Sequence, residues 1–136
     1  MIKAKLFTDG GARNNPGPAA IGVVLYKDDK ILDTISHFIG KATNNQAEYE
    51  AIIAGLKLAH KHKIDTLECY LDSELVVKQM RQEYKVKDKE LQKLFVQAWN
   101  QTLNFKKITW HHIPREKNEV ADKLVNLALD RETGRG

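Results

Sequence analysis

Polar and apolar residues alternate through the first forty positions, as they do in half-buried strands. The alternation in Lys3–Asp9 stops at a Gly-Gly pair, where the strand is expected to end. Ala20–Tyr26 is apolar and β-branched, and Lys27–Lys30 is typical of a hairpin turn into Ile31–Ile39. The chain is therefore predicted to open with three strands in an antiparallel meander.

Beyond Gly40 the apolar spacing becomes that of helices alternating with strands. Thr43 is expected to cap a helix ending near His62, with Gln46 completing a capping box. The remaining predicted elements are a strand at Thr66–Asp72, helices at Ser73–Gln82 and Asp88–Leu103, a strand at Lys107–His112 and a helix at Asn118–Arg131. The order βββαβααβα predicts an α/β fold with a five-stranded mixed sheet and helices on its faces. One domain over residues 1–136 is expected, with 132–136 frayed.

The composition is that of an ordinary globular domain. With 136 residues, 42% hydrophobic and 29% charged, it is unlike disordered or disulfide-built chains. The single cysteine, Cys69, lies in an apolar stretch, so a buried thiol and a reducing compartment are expected. No apolar run is long enough to span a bilayer, and Asp9 falls where a signal peptide is apolar. A cytoplasmic protein without a membrane anchor is predicted.

Two acidic residues fall on the apolar sides of predicted helices. Glu48 lies at helical spacing from Ile52 and Leu56, and Asp122 stands beside the stripe that contains Val125 and Leu129. A buried carboxylate costs several kcal/mol unless it is paired or bound to a metal. Stabilisation of the first helical turn is the alternative explanation for Glu48.

Two further acids, Asp9 and Asp72, close predicted strands. In sheets with helical crossovers, this is the edge where ligands bind, although Asp is also a common turn residue. Four acids that converged would repel one another strongly without a cation. Oxygen ligands without a Cys or a His pair favour Mg²⁺ or Mn²⁺ over Zn²⁺.

Five motifs, in their order and separation, resemble those of type 1 ribonuclease H. They are Phe7-Thr-Asp-Gly-Gly11, Asn15-Pro-Gly-Pro18, Thr43-Asn-Asn-Gln-Ala-Glu48, Leu71-Asp-Ser73 and Asn118-Glu-Val-Ala-Asp122. The resemblance spans nearly the whole chain, and the predicted element order is also the family's. It implies a ribonuclease H-like fold and two Mg²⁺ ions, with Mn²⁺ as a substitute, held by four catalytic carboxylates: Asp9, Glu48, Asp72 and Asp122.

The resemblance also implies an activity. The expected reaction is hydrolysis of the RNA strand of an RNA–DNA hybrid by a monomeric endoribonuclease, leaving 5′-phosphate and 3′-hydroxyl ends. Two ions roughly 4 Å apart suit in-line attack on a phosphodiester. One alternative is a related domain that binds hybrids without cutting them. Such a domain would lack one of the four acids, and no acid is missing here. The other is a DNA-cutting enzyme of the resolvase or integrase sort, against which Thr43–Glu48 argues.

By resemblance, three amides are expected to contact the substrate: Asn15, Asn44 and Asn45. Turn and cap roles would also explain them. For the group that assists turnover before the last helix, His112 stands ten residues before Asp122. Arg115, a permanent cation near the substrate, is the alternative, and packing of His112 against the sheet is a third reading. Position and separation favour His112 narrowly.

The charge balance favours a polyanionic partner. Without the four proposed ligands, 22 basic residues face 14 acidic ones, which leaves +8. The densest basic stretch contains Lys78, Arg81, Lys85, Lys87, Lys89 and Lys93, which a solvated surface would also explain. The segment between Met80 and Leu94 is too short for the extra basic helix of the best-known bacterial forms. Glu74, where some relatives carry Gln, is expected to weaken or retune substrate binding.

Overall fold

The computed structural model describes residues 2–134, and its elements follow the predicted order βββαβααβα. The strands are β1 (Lys3–Ala12), β2 (Gly17–Lys27), β3 (Lys30–Ala42), β4 (Thr66–Leu71) and β5 (Lys107–His112). The helices are α1 (Asn44–Lys61), α2 (Glu74–Met80), α3 (Lys89–Thr102) and α4 (Glu119–Thr133). A 3₁₀ turn at Arg115–Lys117, absent from the sequence prediction, precedes α4.

The five strands form one mixed sheet, as predicted, in the order β3-β2-β1-β4-β5. The β1–β2 and β2–β3 pairs are antiparallel, whereas β1–β4 and β4–β5 are parallel. On one face, Leu6 and Val23 join the main core with Leu56 of α1. On the other face, Ala20 packs against Leu129 of α4. Helices therefore cover both faces of the sheet, and β1 lies at its centre.

Strand β1 is longer than predicted, because it continues past Asp9 to Ala12. The Gly-Gly pair does not end the strand, since β2 offers a hydrogen-bonding partner as far as the pair Ala12 and Ala19. The parallel pairing with β4, by contrast, ends at Phe7 and Tyr70. Asp9 therefore lies where β1 separates from β4, which opens the sheet edge beside it.

Strand β1 and helix α1 come close together at Gly10. A Cβ built on Gly10 would lie 2.2 Å from the carbonyl carbon of Ala47, so a side chain does not fit. We expect Gly10→Ala to lower the free energy of unfolding by about 1–3 kcal/mol through overpacking. Chemical denaturation followed by circular dichroism measures this. The matched control is Gly11→Ala, whose Cβ would meet only Val125 Cγ1 at 3.7 Å. Equal stability of the two variants would contradict the expectation.

The predicted cap of α1 is present, whereas α4 ends later than predicted. Thr43 Oγ1 accepts from Gln46 N at 3.1 Å and Gln46 Oε1 from Thr43 N at 2.8 Å, so the capping box is confirmed. Helix α4 extends through Glu132 and Thr133, two residues of the tail predicted to fray, and Gly134 ends it in the left-handed conformation. Thr133 is also held by a 2.8 Å bond to the carbonyl of Leu129. Residues 135 and 136 of the predicted tail lie outside the described residues.

The connector between α2 and α3 carries much of the basic stretch. Residues 81–88, all of which the structure describes, contain no helix, as the short segment predicted. The lysines at 85, 87, 89 and 93 are exposed, and Cys69 is buried as expected. None of the helices over residues 2–134 is long and apolar enough to cross a bilayer.

Candidate active site

The four predicted acids line one cleft of about 540 Å³ at an edge of the sheet. Asp9 lies on β1, Glu48 in the second turn of α1, Asp72 directly after β4, and Asp122 in the first turn of α4. Each element therefore contributes one carboxylate. The structure brings together residues that the sequence separates widely.

Three of the four acids form a tight triangle. Asp9, Glu48 and Asp72 each offer a carboxylate oxygen, and these atoms lie within 4.8 Å of one another. Asp122 lies outside this triangle but close enough to Asp9 to act on its protonation. The arrangement can hold a cation between three oxygens, with a fourth carboxylate beside it.

Burial and mutual repulsion raise the pKa values of the two least accessible acids. Burial first, and then the charges of Asp72 and Asp122, raise the pKa of Asp9 to about 7, although the neighbouring Glu48 carboxyl group opposes the shift. Burial and the nearby Asp9 raise the pKa of Glu48 well above its usual value. The cluster therefore favours bound protons near neutrality unless another positive charge takes their place.

Glu48 supplies a direct test of whether a cation fits. Its side chain is only 6% exposed, and Oε1 accepts from the backbone N–H of Gly10 at 2.6 Å. Oε2 is buried with no hydrogen-bond partner among the described residues. A buried carboxylate oxygen without a partner, on a residue of the acidic triangle, is costly unless a cation binds it. An all-oxygen donor set fits Mg²⁺ or Mn²⁺.

The structure separates the two candidates for assisting turnover. Arg115 lines the cleft, and its Nη2 lies 3.8 Å from Asp122 Oδ1. His112 is not among the residues that line the cleft; its Nδ1 lies 3.7 Å from Glu74 Oε2. The side chain of His112 is 41% exposed, so it is not packed against the sheet either.

The three predicted substrate amides are close to the cleft mouth. Asn44 and Asn45 line it, and Asn15 Oδ1 accepts from Asn44 N at 2.9 Å. Asn44 Oδ1 in turn accepts from Ala12 N at 2.8 Å. Because backbone N–H groups only donate, these bonds identify the amide oxygens of Asn15 and Asn44. Their NH₂ groups make no hydrogen bond within the described residues and remain available as donors.

Sequence reasoning missed two residues that line the cleft, Arg13 and Asn126. Arg13 Nη2 donates to Asp130 Oδ1 at 2.6 Å, which fastens the end of β1 to α4. Asn126 Nδ2 donates to the carbonyl of Asp122 at 3.1 Å. Asn126 follows Asp122 by one helical turn, and this spacing could have predicted that it lines the cleft. The sequence contains no comparable indication for Arg13.

Comparison with known proteins gives matches over most of the chain. A family model described as "Reverse transcriptase-like" matches residues 7–128. The bifunctional protein Rv2228c of Mycobacterium tuberculosis is 43% identical over 95% of this chain, and ribonuclease HI of Halobacterium salinarum is 43% identical over 91%. The chain spans only 36% and 63% of the lengths of those two relatives.

Solved structures agree with the sequence matches. The N-terminal RNase H domain of Rv2228c superposes with a TM-score of 0.92 at 43% identity, covering 95% of this chain and 100% of that domain. LC11-RNase H1, solved in complex with an RNA/DNA hybrid, superposes with a TM-score of 0.91 at 42% identity, covering 96% and 99%. The sequence motifs, the sheet order and the acidic cleft agree with these likenesses, and the chain belongs to the ribonuclease H family.

Proposed function

We propose that this protein is an endoribonuclease that hydrolyses the RNA strand of RNA–DNA hybrids, giving 5′-phosphate and 3′-hydroxyl ends. The observation that carries the proposal is the triangle of Asp9, Glu48 and Asp72, in which Glu48 has a buried oxygen without a hydrogen-bond partner. The hybrid bound to the similar LC11-RNase H1 supports the choice of substrate. All four expected acids are present, which favours this function over a hybrid-binding domain that does not cut.

The four carboxylates would hold two divalent cations, Mg²⁺ or its substitute Mn²⁺. When bound, such ions lower the pKa of a water nucleophile and stabilise the leaving oxygen of a phosphodiester. Asp72 and Asp122 both lie close enough to Asp9 for their charges to raise its pKa, so the four carboxylates form one connected acidic set. The chain's own contribution is to hold these carboxylates at fixed positions.

Neutral and cationic groups around the acids suit a hybrid substrate. The NH₂ groups of Asn15 and Asn44 can donate to the acceptors of a minor groove and to 2′-hydroxyls, and Asn45 lines the same cleft. Arg115 brings a permanent positive charge to the cleft beside Asp122, where it can attract a phosphate group. Its place in the cleft makes Arg115, rather than His112, the proposed aid to turnover.

One chain supplies all four carboxylates, the amides and Arg115, so we propose that the enzyme acts as a monomer.

The buried thiol of Cys69 forms no disulfide, which agrees with a reducing compartment, and the cytoplasm is the proposed location.

Labelled substrates test the proposal directly. The protein is incubated with an RNA–DNA hybrid, duplex RNA and duplex DNA, each with Mg²⁺ and with EDTA. Cleavage of the RNA strand of the hybrid, in Mg²⁺ alone, is expected. Binding of the hybrid without cleavage would favour the non-cutting alternative, and cleavage of duplex DNA would favour an enzyme of the resolvase or integrase sort.

Mg²⁺ is expected to stabilise the protein, and more so at higher pH. The raised pKa of Asp9, about 7, means that the folded chain holds more protons than the unfolded chain between about pH 4 and pH 7. Without metal, this group makes the free energy of unfolding fall as the pH rises through that window. At a hundredfold excess over its Kd, Mg²⁺ adds about 2.7 kcal/mol, or roughly 8 °C in Tm. Calorimetry at pH 5.5 and pH 8, with Mg²⁺ or EDTA, measures the gain.

Two Glu-to-Gln variants of α1 provide the control. Glu48→Gln removes a cleft carboxylate and should shrink the gain in Tm. Glu50→Gln makes the same chemical change outside the cleft and should leave the gain unchanged. An identical Mg²⁺ gain in Glu48→Gln and wild type would exclude Glu48 as a ligand.

A further inference from the structure

Asn118 stands at the start of α4 but does not cap the helix. Asn is a favoured N-cap residue because its side-chain oxygen accepts from the first free backbone N–H groups. Here the Asn118 side chain makes no capping hydrogen bond. It is 1% exposed, and its Nδ2 donates to the carbonyl of Thr8 at 2.9 Å and to Asp72 Oδ2 at 3.2 Å. The amide therefore points towards the acidic cluster.

The direction of the amide follows from its partners. Both neighbours of Nδ2 are acceptor oxygens, so only the NH₂ group can face them. Asn118 Oδ1 is then buried without a hydrogen-bond partner among the described residues. An unsatisfied buried oxygen of this kind destabilises the folded chain, so the two donated bonds must offset its cost. The side chain makes no capping bond and leaves one oxygen unpaired, while its NH₂ group donates to Thr8 and to Asp72.

Asn118 connects the elements that carry three of the four acids. The Thr8 carbonyl belongs to the residue before Asp9, and the second bond reaches Asp72 itself. The carbonyl of Asn118 accepts from the backbone N–H of Asp122 at 3.1 Å. Through these three hydrogen bonds, Asn118 connects β1, the end of β4 and the first turn of α4.

We propose that Asn118 is a positioning residue that orients the Asp72 carboxylate against Asp9 and thereby sets the affinity of the cleft for divalent cations. The inference rests on the proposed cation site. Groups that hydrogen-bond to metal ligands fix the orientation of those ligands, and their loss commonly weakens metal binding by about 10–100-fold. Because Asn118 is only 1% exposed, it would act through Asp72 rather than on a substrate.

Isothermal titration of the free protein with Mg²⁺ tests the proposal without any substrate. Asn118→Ala removes both donated bonds, and we expect its Kd for Mg²⁺ to rise by about tenfold or more. Asn118→Ser keeps a short hydroxyl donor that cannot reach both acceptors, so an intermediate Kd is expected. Circular dichroism and thermal unfolding in EDTA report the folding of each variant.

The matched control is Gln79→Ala. Gln79 is another buried amide, and its Oε1 accepts a 2.6 Å bond from Tyr49 Oη away from the cleft. This variant should lose stability with no change in the Kd for Mg²⁺, which separates positioning of the acids from simple loss of a buried hydrogen bond.

The outcomes distinguish this inference from the proposed function. A folded Asn118→Ala or Asn118→Ser protein whose Kd lies within twofold of wild type would overturn the inference, whatever the substrate. Failure of both variants to fold would make Asn118 purely structural and would overturn it as well. A wild-type protein that binds Mg²⁺ but leaves hybrids intact would contradict the proposed function alone.

Discussion

Asp72→Asn is expected to abolish cleavage while preserving the fold. The amide has nearly the shape of the carboxylate but lacks the charge of a metal ligand, and metal ions contribute several kcal/mol to such transition states. A loss of at least about a thousandfold in turnover follows. With its amide oxygen in the place of Asp72 Oδ2, the new Asn can still accept from Asn118 Nδ2, so this hydrogen bond can be kept. Single-turnover cleavage of a labelled hybrid gives the rate, and hybrid binding in EDTA gives the affinity.

A variant on strand β4 serves as the control for this experiment. Glu68→Gln removes a carboxylate that faces Lys3 outside the cleft, with the two side chains 3.9 Å apart. Its turnover should stay close to wild type. Turnover of Asp72→Asn within a few-fold of wild type would exclude the proposed metal-ligand role of Asp72.

Arg115→Ala is expected to have the second largest effect, a loss of roughly a hundredfold in turnover. Removal of one preorganised group that stabilises the negative charge of a transition state commonly has an effect of this size. Arg115 lines the cleft beside Asp122, and its guanidinium stays charged at every working pH. The shape of the pH profile should therefore be unchanged. Steady-state kcat with saturating hybrid, measured from pH 6 to pH 9 at fixed ionic strength, checks both points.

His112→Ala is the companion variant. Because His112 faces Glu74 outside the residues that line the cleft, its removal should change kcat only a few-fold. The opposite pattern would reverse the assignment: a severely impaired His112→Ala enzyme whose pH dependence flattens near neutrality, beside a nearly normal Arg115→Ala enzyme. Such a result would restore the preference based on sequence spacing.

Local rules account for the parts of the fold that were predicted well. The capping box at Thr43 depends on two side chains three residues apart, and the burial of Glu48 follows from helical periodicity. The end of β1 depends instead on whether another strand offers hydrogen bonds there. Since β2 does so as far as Ala19, the glycines that usually end a strand lie within this one.

The site was predictable as a set of residue types but not in its detailed contacts. The motifs identified all four acids, yet spacing from Asp122 could not show which way His112 and Arg115 point. His112 ends β5, whereas Arg115 opens the 3₁₀ turn at Arg115–Lys117, which the sequence analysis did not predict. Likewise, an Asn before a helix suggests a cap, whereas tertiary contacts with Thr8 and Asp72 turn the Asn118 amide inward.

The bond between Asn118 and Thr8 also bears on how the chain folds. It joins residues 110 positions apart, and the parallel pairing of β1 with β4 is similarly distant in sequence. Closing such long loops costs conformational entropy, so a topology rich in these contacts is expected to fold more slowly than one built from local contacts. A chain in which α4 has not docked would lack the Asp122 side of the cleft. The acidic cleft is therefore a property of the completed fold and not of any one segment.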